Sequence, residues 1–166
     1  MSAPHEGVDR VTLIQRQWAT VRPDFDVSPI GVIGRLHRVA ARLTEELTAL
    51  YARYGLREGE FDLLATLRRS GELAPGELAR HTMVTSGAIS KRLDRLESDG
   101  LIERRVCTTD GRARVVALTG AGERLIDDAF AAHLANERRL LAQLGDDDAA
   151  AIEPILTRWL ARLEPR

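Results

Sequence analysis

The side chains with the clearest chemistry lie in one short stretch, where small hydroxyl groups are followed by cations. Thr85, Ser86 and Ser90 come first, and Lys91 and Arg92 follow them. Small residues let a helix end approach base edges closely, whereas lysine and arginine reach guanine edges or phosphates. The pattern predicts contacts to DNA. The competing interpretation is a solvated, charged helix, because charge runs usually face water.

Two further cations lie at a predicted turn. Residues 101–107 (LIERRVC) and 113–119 (ARVVALT) are strand candidates, and the Asp-Gly between them suits a tight reversal. Arg112 and Arg114 lie at the tip of this hairpin. We expect them to enter an adjacent minor groove or to hold phosphate.

The first group needs a helix to position it. Ile89, Leu93 and Leu96 recur at helical spacing, Thr85 is a suitable N-cap, and Gly100 lies just past the predicted end. The preceding LAPGELARHTMVT indicates a shorter helix and a turn. Helix, turn and helix followed by a hairpin make a winged helix, in which the second helix enters the major groove.

The stretch from ELARHTMVTSGAISKRLDRLE through the hairpin to LTGAGERL resembles the DNA-binding core of the MarR family of bacterial transcription regulators. The DGR of the hairpin is similar to the Asp-x-Arg signature of that family's wing, and LTGAGERL to the helix start that follows it. The resemblance implies a mostly α (α+β) winged helix-turn-helix. It also implies a homodimer that binds double-stranded DNA at a pseudo-palindromic operator and represses transcription.

Helical patterns and breaks predict the organisation of the whole chain. We expect a flexible tail at residues 1–8 and N-terminal helices for dimerisation and ligand binding at residues 9–54. The winged helix follows at residues 55–119, and C-terminal dimerisation helices at residues 120–166. The terminal helices carry more apolar positions than a single winged helix can cover, which favours a dimerisation layer. A helical cap on a monomer is the alternative.

Composition restricts the other functional classes. The 166 residues are 44% hydrophobic and 30% charged with a net charge of −1, so any basic surface must be local. Cys107 is the single cysteine, which excludes an intrachain disulfide. Four scattered histidines and the lack of a phosphate loop or catalytic set predict no metal, no cofactor and no enzymatic activity. Without a signal peptide or a membrane-length apolar run, we expect a cytoplasmic protein with no membrane partner.

The segments VRPDFD and SPIGVIGRLHR are similar to a narrower MarR branch that responds to urate or trans-aconitate. That resemblance implies a small anionic effector, a urate-like purine or a di- or tricarboxylate, and the switch residues Trp18, Asp62 and Arg95. Arg104 and Arg105, near the start of the wing, are further candidates. An Asp62–Arg95 pair would orient the recognition helix, and an anion would compete for Arg95 through bidentate hydrogen bonds.

Other interpretations remain open at this point. If Trp18 packs in the core, and if Asp62 and Arg95 form a structural ion pair, the chain is a DNA-binding regulator without a ligand. Cys107 would make a single-cysteine redox regulator. Two other classes are an enzyme with an appended winged helix and a helical module whose winged helix contacts protein.

Overall fold

The computed structural model describes residues 8–57, 59–82, 86–106 and 114–164, the side chains of 86–88 excepted. It confirms a mostly helical chain with one small antiparallel sheet. The elements in chain order are α1 (Arg10–Val21), α2 (Ser28–Ala52), α3 (Glu60–Ser70), α4 (Pro75–His81), α5 (Ser86–Ser98), β1 (Ile102–Val106), β2 (Arg114–Leu118), α6 (Gly120–Leu141) and α7 (Asp146–Leu163).

The predicted wing hairpin is present. β1 pairs antiparallel with β2, and Arg104 lies opposite Val116 in the register. Leu73, between α3 and α4, forms a single bridge to Val116 on the other side of β2. The hairpin is therefore joined by backbone hydrogen bonds to the segment between α3 and α4.

The core lies around α3, whose residues from 60 to 67 are nearly all buried. Leu63 and Leu64 are fully buried, and the apolar stripe of α5 packs into the same cluster. Further large members come from α4, the sheet and α6: Leu78, Ile102, Val116 and Ile126. Burying a side chain of this size stabilises a fold by about 1.5–3 kcal/mol, so this cluster fixes the helix on which the predicted DNA contacts lie.

The start of α6 is locked to the end of α5. The hydroxyl of Thr119 accepts from the backbone N–H of Gly122, as an N-cap does, and donates to the carbonyl of Gly100 at 2.7 Å. A Cβ on Gly122 would collide with the carbonyl of Leu101. The glycine therefore permits the close approach of α6 to the segment between α5 and β1.

The chain divides into two compact units between Ala49 and Leu50, within α2. In the first unit Asp9 caps α1 through the N–H of Thr12 and pairs with Arg35 of α2 at 2.7 Å. The guanidinium of Arg35 holds the pKa of Asp9 down at about 2. α1 and α2 are therefore joined by an ion pair that stays charged at neutral pH. The predicted division into four segments remains a prediction.

The start of α3 follows a glycine with an unusual backbone conformation. α3 begins at Glu60, directly after Gly59, whose φ of 74° is left-handed and interrupts the chain's helical course.

Candidate nucleic-acid interface

α5 presents one apolar and one polar face, as its sequence predicts. Ile89, Leu93 and Leu96 are each at most 2% exposed, whereas Ser90 and Lys91 are exposed. The helix therefore points a hydroxyl and an ammonium group away from the core. Both groups are of the kind that contacts base edges and phosphates.

Arg92, also predicted as a DNA contact, has a different environment. It is only partly exposed, and its guanidinium lies so close to Gly59 that a Cβ there would be 2.8 Å from the arginine Cζ. Arg92 therefore packs one flank of α5 against the loop that precedes α3. The sequence carried no signal for this contact, because it depends on a glycine more than thirty residues away.

Several predicted contacts lie outside the described part of the chain. These are Thr85, the side chain of Ser86, and Arg112 at the hairpin tip, together with Cys107. Arg114 is described, as the first residue of β2, and its side chain is exposed. It remains a candidate for a phosphate or minor-groove contact.

Arg95 has a partner that the sequence did not predict. Its Nη1 donates to both carboxylate oxygens of Glu60, at 3.0 and 3.1 Å, and Nη2 donates to the carbonyl of Gly55 at 3.2 Å. Glu60 is only 2% exposed and also accepts from the backbone N–H of Arg57 at 2.7 Å. Nε of Arg95 lies 3.4 Å from Asp99 on the same helix. The guanidinium thus ties α5 to the start of α3.

The predicted pair between Asp62 and Arg95 is therefore wrong in this structure. Glu60 and Asp62 are two positions apart in α3, and side chains at that spacing face opposite sides of a helix. Glu60 points inward and Asp62 is exposed.

Burial, together with the charges of Asp62 and Glu137, raises the pKa of Tyr51 to about 12. That phenol is neutral at physiological pH.

Trp18 lies in the first unit, at a groove of about 540 Å³. Its ring is 6.5 Å from that of Phe25, and the guanidinium carbon of Arg22 lies 3.7 Å from the Phe25 ring centroid. The other lining residues are Asp24, Asp26, Val27, Pro29 and Ile30. The groove is mostly apolar and contains two carboxylates. Hydrogen bonds from Arg22 and from the Ser28 backbone lower the pKa of Asp24 and of Asp26 respectively, so both are charged.

Arg104 and Arg105, the wing candidates for effector binding, both have carboxylate partners within the chain. Arg104 donates to Asp94 and Glu97 of α5, each at 2.6 Å. Arg105 donates to Glu72 at 2.7 Å and contacts Glu103 at 3.3 Å. Their role toward an effector remains a prediction.

The comparisons with known proteins agree with this geometry. A sequence model of the MarR family matches residues 54–113. The transcriptional regulator PecS of Dickeya dadantii is 35% identical over 151 residues, which cover 89% of this chain and 91% of the relative. The transcriptional repressor Rv2887 of Mycobacterium tuberculosis is 37% identical over 119 residues, 72% of this chain and 84% of the relative.

Solved structures show the same fold. A mutant of Escherichia coli MarR complexed with operator DNA superimposes with a TM-score of 0.69 at 26% identity, covering 86% of this chain and 97% of that one. Wild-type MarR from the same organism, in its apo form, gives 0.67 at 27% identity, covering 76% and 96%.

The chain is thus a winged helix-turn-helix protein of the regulator class, and it belongs to the MarR family of transcriptional regulators. The relatives are named as regulators and repressors of transcription and not as enzymes. No helix in the described residues is long and apolar enough to cross a membrane.

Proposed function

We propose that this chain is a homodimeric repressor that binds a pseudo-palindromic operator through α5 and the wing, and that a small anion releases it. A dimer places two recognition helices about a two-fold axis, so the operator carries two half-sites whose centres are about 10 bp, or a multiple of that, apart. The likeness to a MarR structure complexed with operator DNA supports the DNA-binding part.

The outward face of α5 is the observation that carries the proposal. Arg95 and Arg104 hold the two flanks of the helix to neighbouring elements. Ser90 and Lys91 are left exposed between those flanks. A helix that is fixed on three sides and presents a hydroxyl and a cation on the fourth is suited to reading a groove.

The terminal helices support the dimer. In the single chain, α7 has no buried residue, and large apolar side chains are exposed on α7, on α6 and between the two helices. They are Phe130, Leu141, Leu144, Ile155, Leu156, Leu160 and Leu163. Extended apolar surface of this kind on a soluble protein marks an interaction site. A second copy of the chain is the partner that a two-fold operator requires.

Arg95 supports the anionic effector. Its side chain is 28% exposed, so solvent reaches a guanidinium whose bond to Glu60 orients α5. A carboxylate, or a urate-like purine anion, would compete for the same donors through bidentate hydrogen bonds. The resemblance to the urate- and trans-aconitate-responsive branch supports this effector class and names Trp18 as a further effector residue. Competition with Glu60 replaces the earlier expectation of competition with Asp62.

A regulator without a ligand is the second candidate. Asp26 places negative charge in the groove beside Trp18, which disfavours an anion there, whereas Asp24 is paired with Arg22. Arg104 and Arg105 are already paired with carboxylates. If no anion binds, these contacts are structural and repression depends only on protein concentration.

Selection from a random-sequence duplex library tests the proposal. The purified chain should enrich one sequence with two inverted half-sites, called here the selected duplex. A duplex of the same base composition in shuffled order, the scrambled duplex, should bind weakly. Enrichment of no sequence, or of a single asymmetric half-site, would contradict the dimeric operator-binding function.

A further inference from the structure

One guanidinium joins the wing to the recognition helix. Arg104, in the middle of β1, donates from Nη2 to Asp94 and from Nη1 to Glu97, both at 2.6 Å. The two acids are three positions apart on α5 and so lie on one side of that helix. A single planar fork therefore bridges a strand of the wing and two positions of α5.

Glu97 also binds the backbone of the same strand. The N–H and the carbonyl of Val116 both bond to Leu73, so the opposite residue, Arg104, directs its own N–H away from β2. That N–H lies on the free edge of β1 and donates to Glu97 Oε1 at 3.2 Å. The Glu97 carboxylate thus accepts hydrogen bonds from both the backbone N–H and the guanidinium of Arg104. Both contacts oppose a shift of β1 along α5.

These contacts are partly shielded from water. The exposed fractions are 25% for the Arg104 side chain and 38% for that of Glu97, but 67% for that of Asp94. Burial alone lowers the pKa of Arg104, but hydrogen bonding to Asp94 and the charge of Glu97 outweigh it and raise the pKa. The guanidinium of Arg104 therefore remains charged, and Glu97 is the better shielded of its two partners.

We propose that Glu97 and Arg104 are positioning residues that fix the angle between recognition helix and wing, and thereby set the DNA sequence preference. This rests on the proposed DNA-binding function. The charge of Glu97 has the opposite effect on DNA affinity from its positioning role, because a carboxylate on a DNA-binding element repels phosphate. Loss of the charge alone would strengthen binding to every duplex, whereas loss of the positioning contact weakens binding to the preferred duplex.

Glu97→Gln separates these effects by their sign. We expect affinity for the selected duplex to fall about 10-fold, which corresponds to about 1.4 kcal/mol, because the charge-assisted contact between Glu97 and Arg104 is weakened. Affinity for the scrambled duplex should be unchanged or increased, because one negative charge is lost. Fluorescence anisotropy with both duplexes measures the ratio of the affinity for the selected duplex to that for the scrambled duplex. Glu103→Gln is the matched control, since among the described residues the Glu103 carboxylate is hydrogen-bonded only to Arg105 of its own strand. Its ratio should equal that of the wild type.

Arg104→Lys tests the same contact without any change of charge. Lysine cannot bridge two carboxylates with a planar fork, so preference for the selected duplex should fall while binding to the scrambled duplex stays constant. This variant also decides the matter if Glu97→Gln fails to fold, as judged by its melting temperature. Equal strengthening on both duplexes by Glu97→Gln, or an unchanged ratio in Arg104→Lys, would overturn the positioning role. Failure of the wild type to discriminate would instead overturn the proposed function.

Discussion

Arg95 of the recognition helix donates from one nitrogen to both carboxylate oxygens of Glu60, at 3.0 and 3.1 Å. Glu60 is almost completely buried, so it cannot replace this partner with bulk water. Leaving a buried charged group unpaired costs more than the 1–3 kcal/mol, roughly, of a neutral one. An anion that captures Arg95 must therefore displace α5 or supply Glu60 with another donor. The first route links effector binding to the orientation of the helix.

The effector switch predicts reciprocal weakening. Urate or citrate should reduce affinity for the selected duplex roughly 5–150-fold, the range of a typical coupling of about 1–3 kcal/mol, and the duplex should reduce anion affinity by the same factor. A fluorescence titration of Trp18 in a Trp159→Phe variant, followed by DNA competition, measures both. If the anion changes Trp18 fluorescence but leaves DNA affinity unaltered, binding occurs and the switch does not.

Two substitutions locate that effect. Trp18→Phe should lower anion affinity through lost contact, with DNA affinity nearly unchanged when no anion is present. Arg95→Ala should reduce the response of DNA binding to the anion. A full response in Arg95→Ala would remove that residue from the switch.

Arg112, outside the described residues, is predicted to add one cationic contact at the hairpin tip. Arg112→Ala should weaken binding to selected and scrambled duplexes alike. The logarithm of the binding constant falls linearly with the logarithm of salt concentration, and the magnitude of that slope should decrease by about 1. Titrations at several salt concentrations provide the slope. Arg158→Ala, on exposed α7, is the control and should leave it unchanged. An unchanged slope in Arg112→Ala would contradict the assignment of the wing.

Leu160 tests the dimer, since its side chain is 54% exposed in the single chain. Leu160→Asp should dissociate the dimer, because a second copy would bury the new carboxylate without a partner. Ala151→Asp is the matched control. It lies nine residues earlier, about 2.5 turns away and so on the opposite side of α7. Sedimentation at micromolar concentration separates the outcomes. A wild-type monomer, or a dimeric Leu160→Asp, would exclude this interface.

Thr66 offers a test of the core. It is 1% exposed, and its hydroxyl has no hydrogen-bond partner among the described residues. Thr66→Val should raise stability by about 1 kcal/mol, or about 2–4 °C in Tm, because an unsatisfied polar group is removed. Thr157→Val removes an exposed hydroxyl that donates to the Glu153 carbonyl, and no gain is expected there. A lower Tm for Thr66→Val in thermal unfolding would mean that the hydroxyl is satisfied in solution.

Much of the fold could be predicted from local patterns. The spacing of Ile89, Leu93 and Leu96 indicated the buried face of α5, and Asp-Gly between two β-branched runs indicated the hairpin. The resemblance indicated a helix start in LTGAGERL, and Thr119 caps that helix. These features are local in sequence, because caps, turns and periodic apolar faces depend on neighbouring residues.

The contacts that fix the site were not predictable in the same way. Glu60 is a first-turn acid of α3, and such residues usually face solvent near the helix dipole. Its burial arises only when α5 packs against α3. Likewise, Arg104 was recognised as basic and near the wing, but the two carboxylates that bind it depend on how β1 crosses α5. The resemblance supplied Asp62 as the partner of Arg95, and the geometry of α3 replaced it with Glu60.

Sequence-specific DNA binding through the outward face of α5 can be measured directly. Fluorescence anisotropy gives the affinity of the wild type and of Lys91→Ala for the selected and scrambled duplexes at one physiological salt concentration. The wild type should prefer the selected duplex by about 10³-fold or more. Lys91→Ala should lose about 1–3 kcal/mol of that preference if Lys91 contacts a base edge. Equal wild-type affinity for the two duplexes would contradict sequence-specific binding by α5.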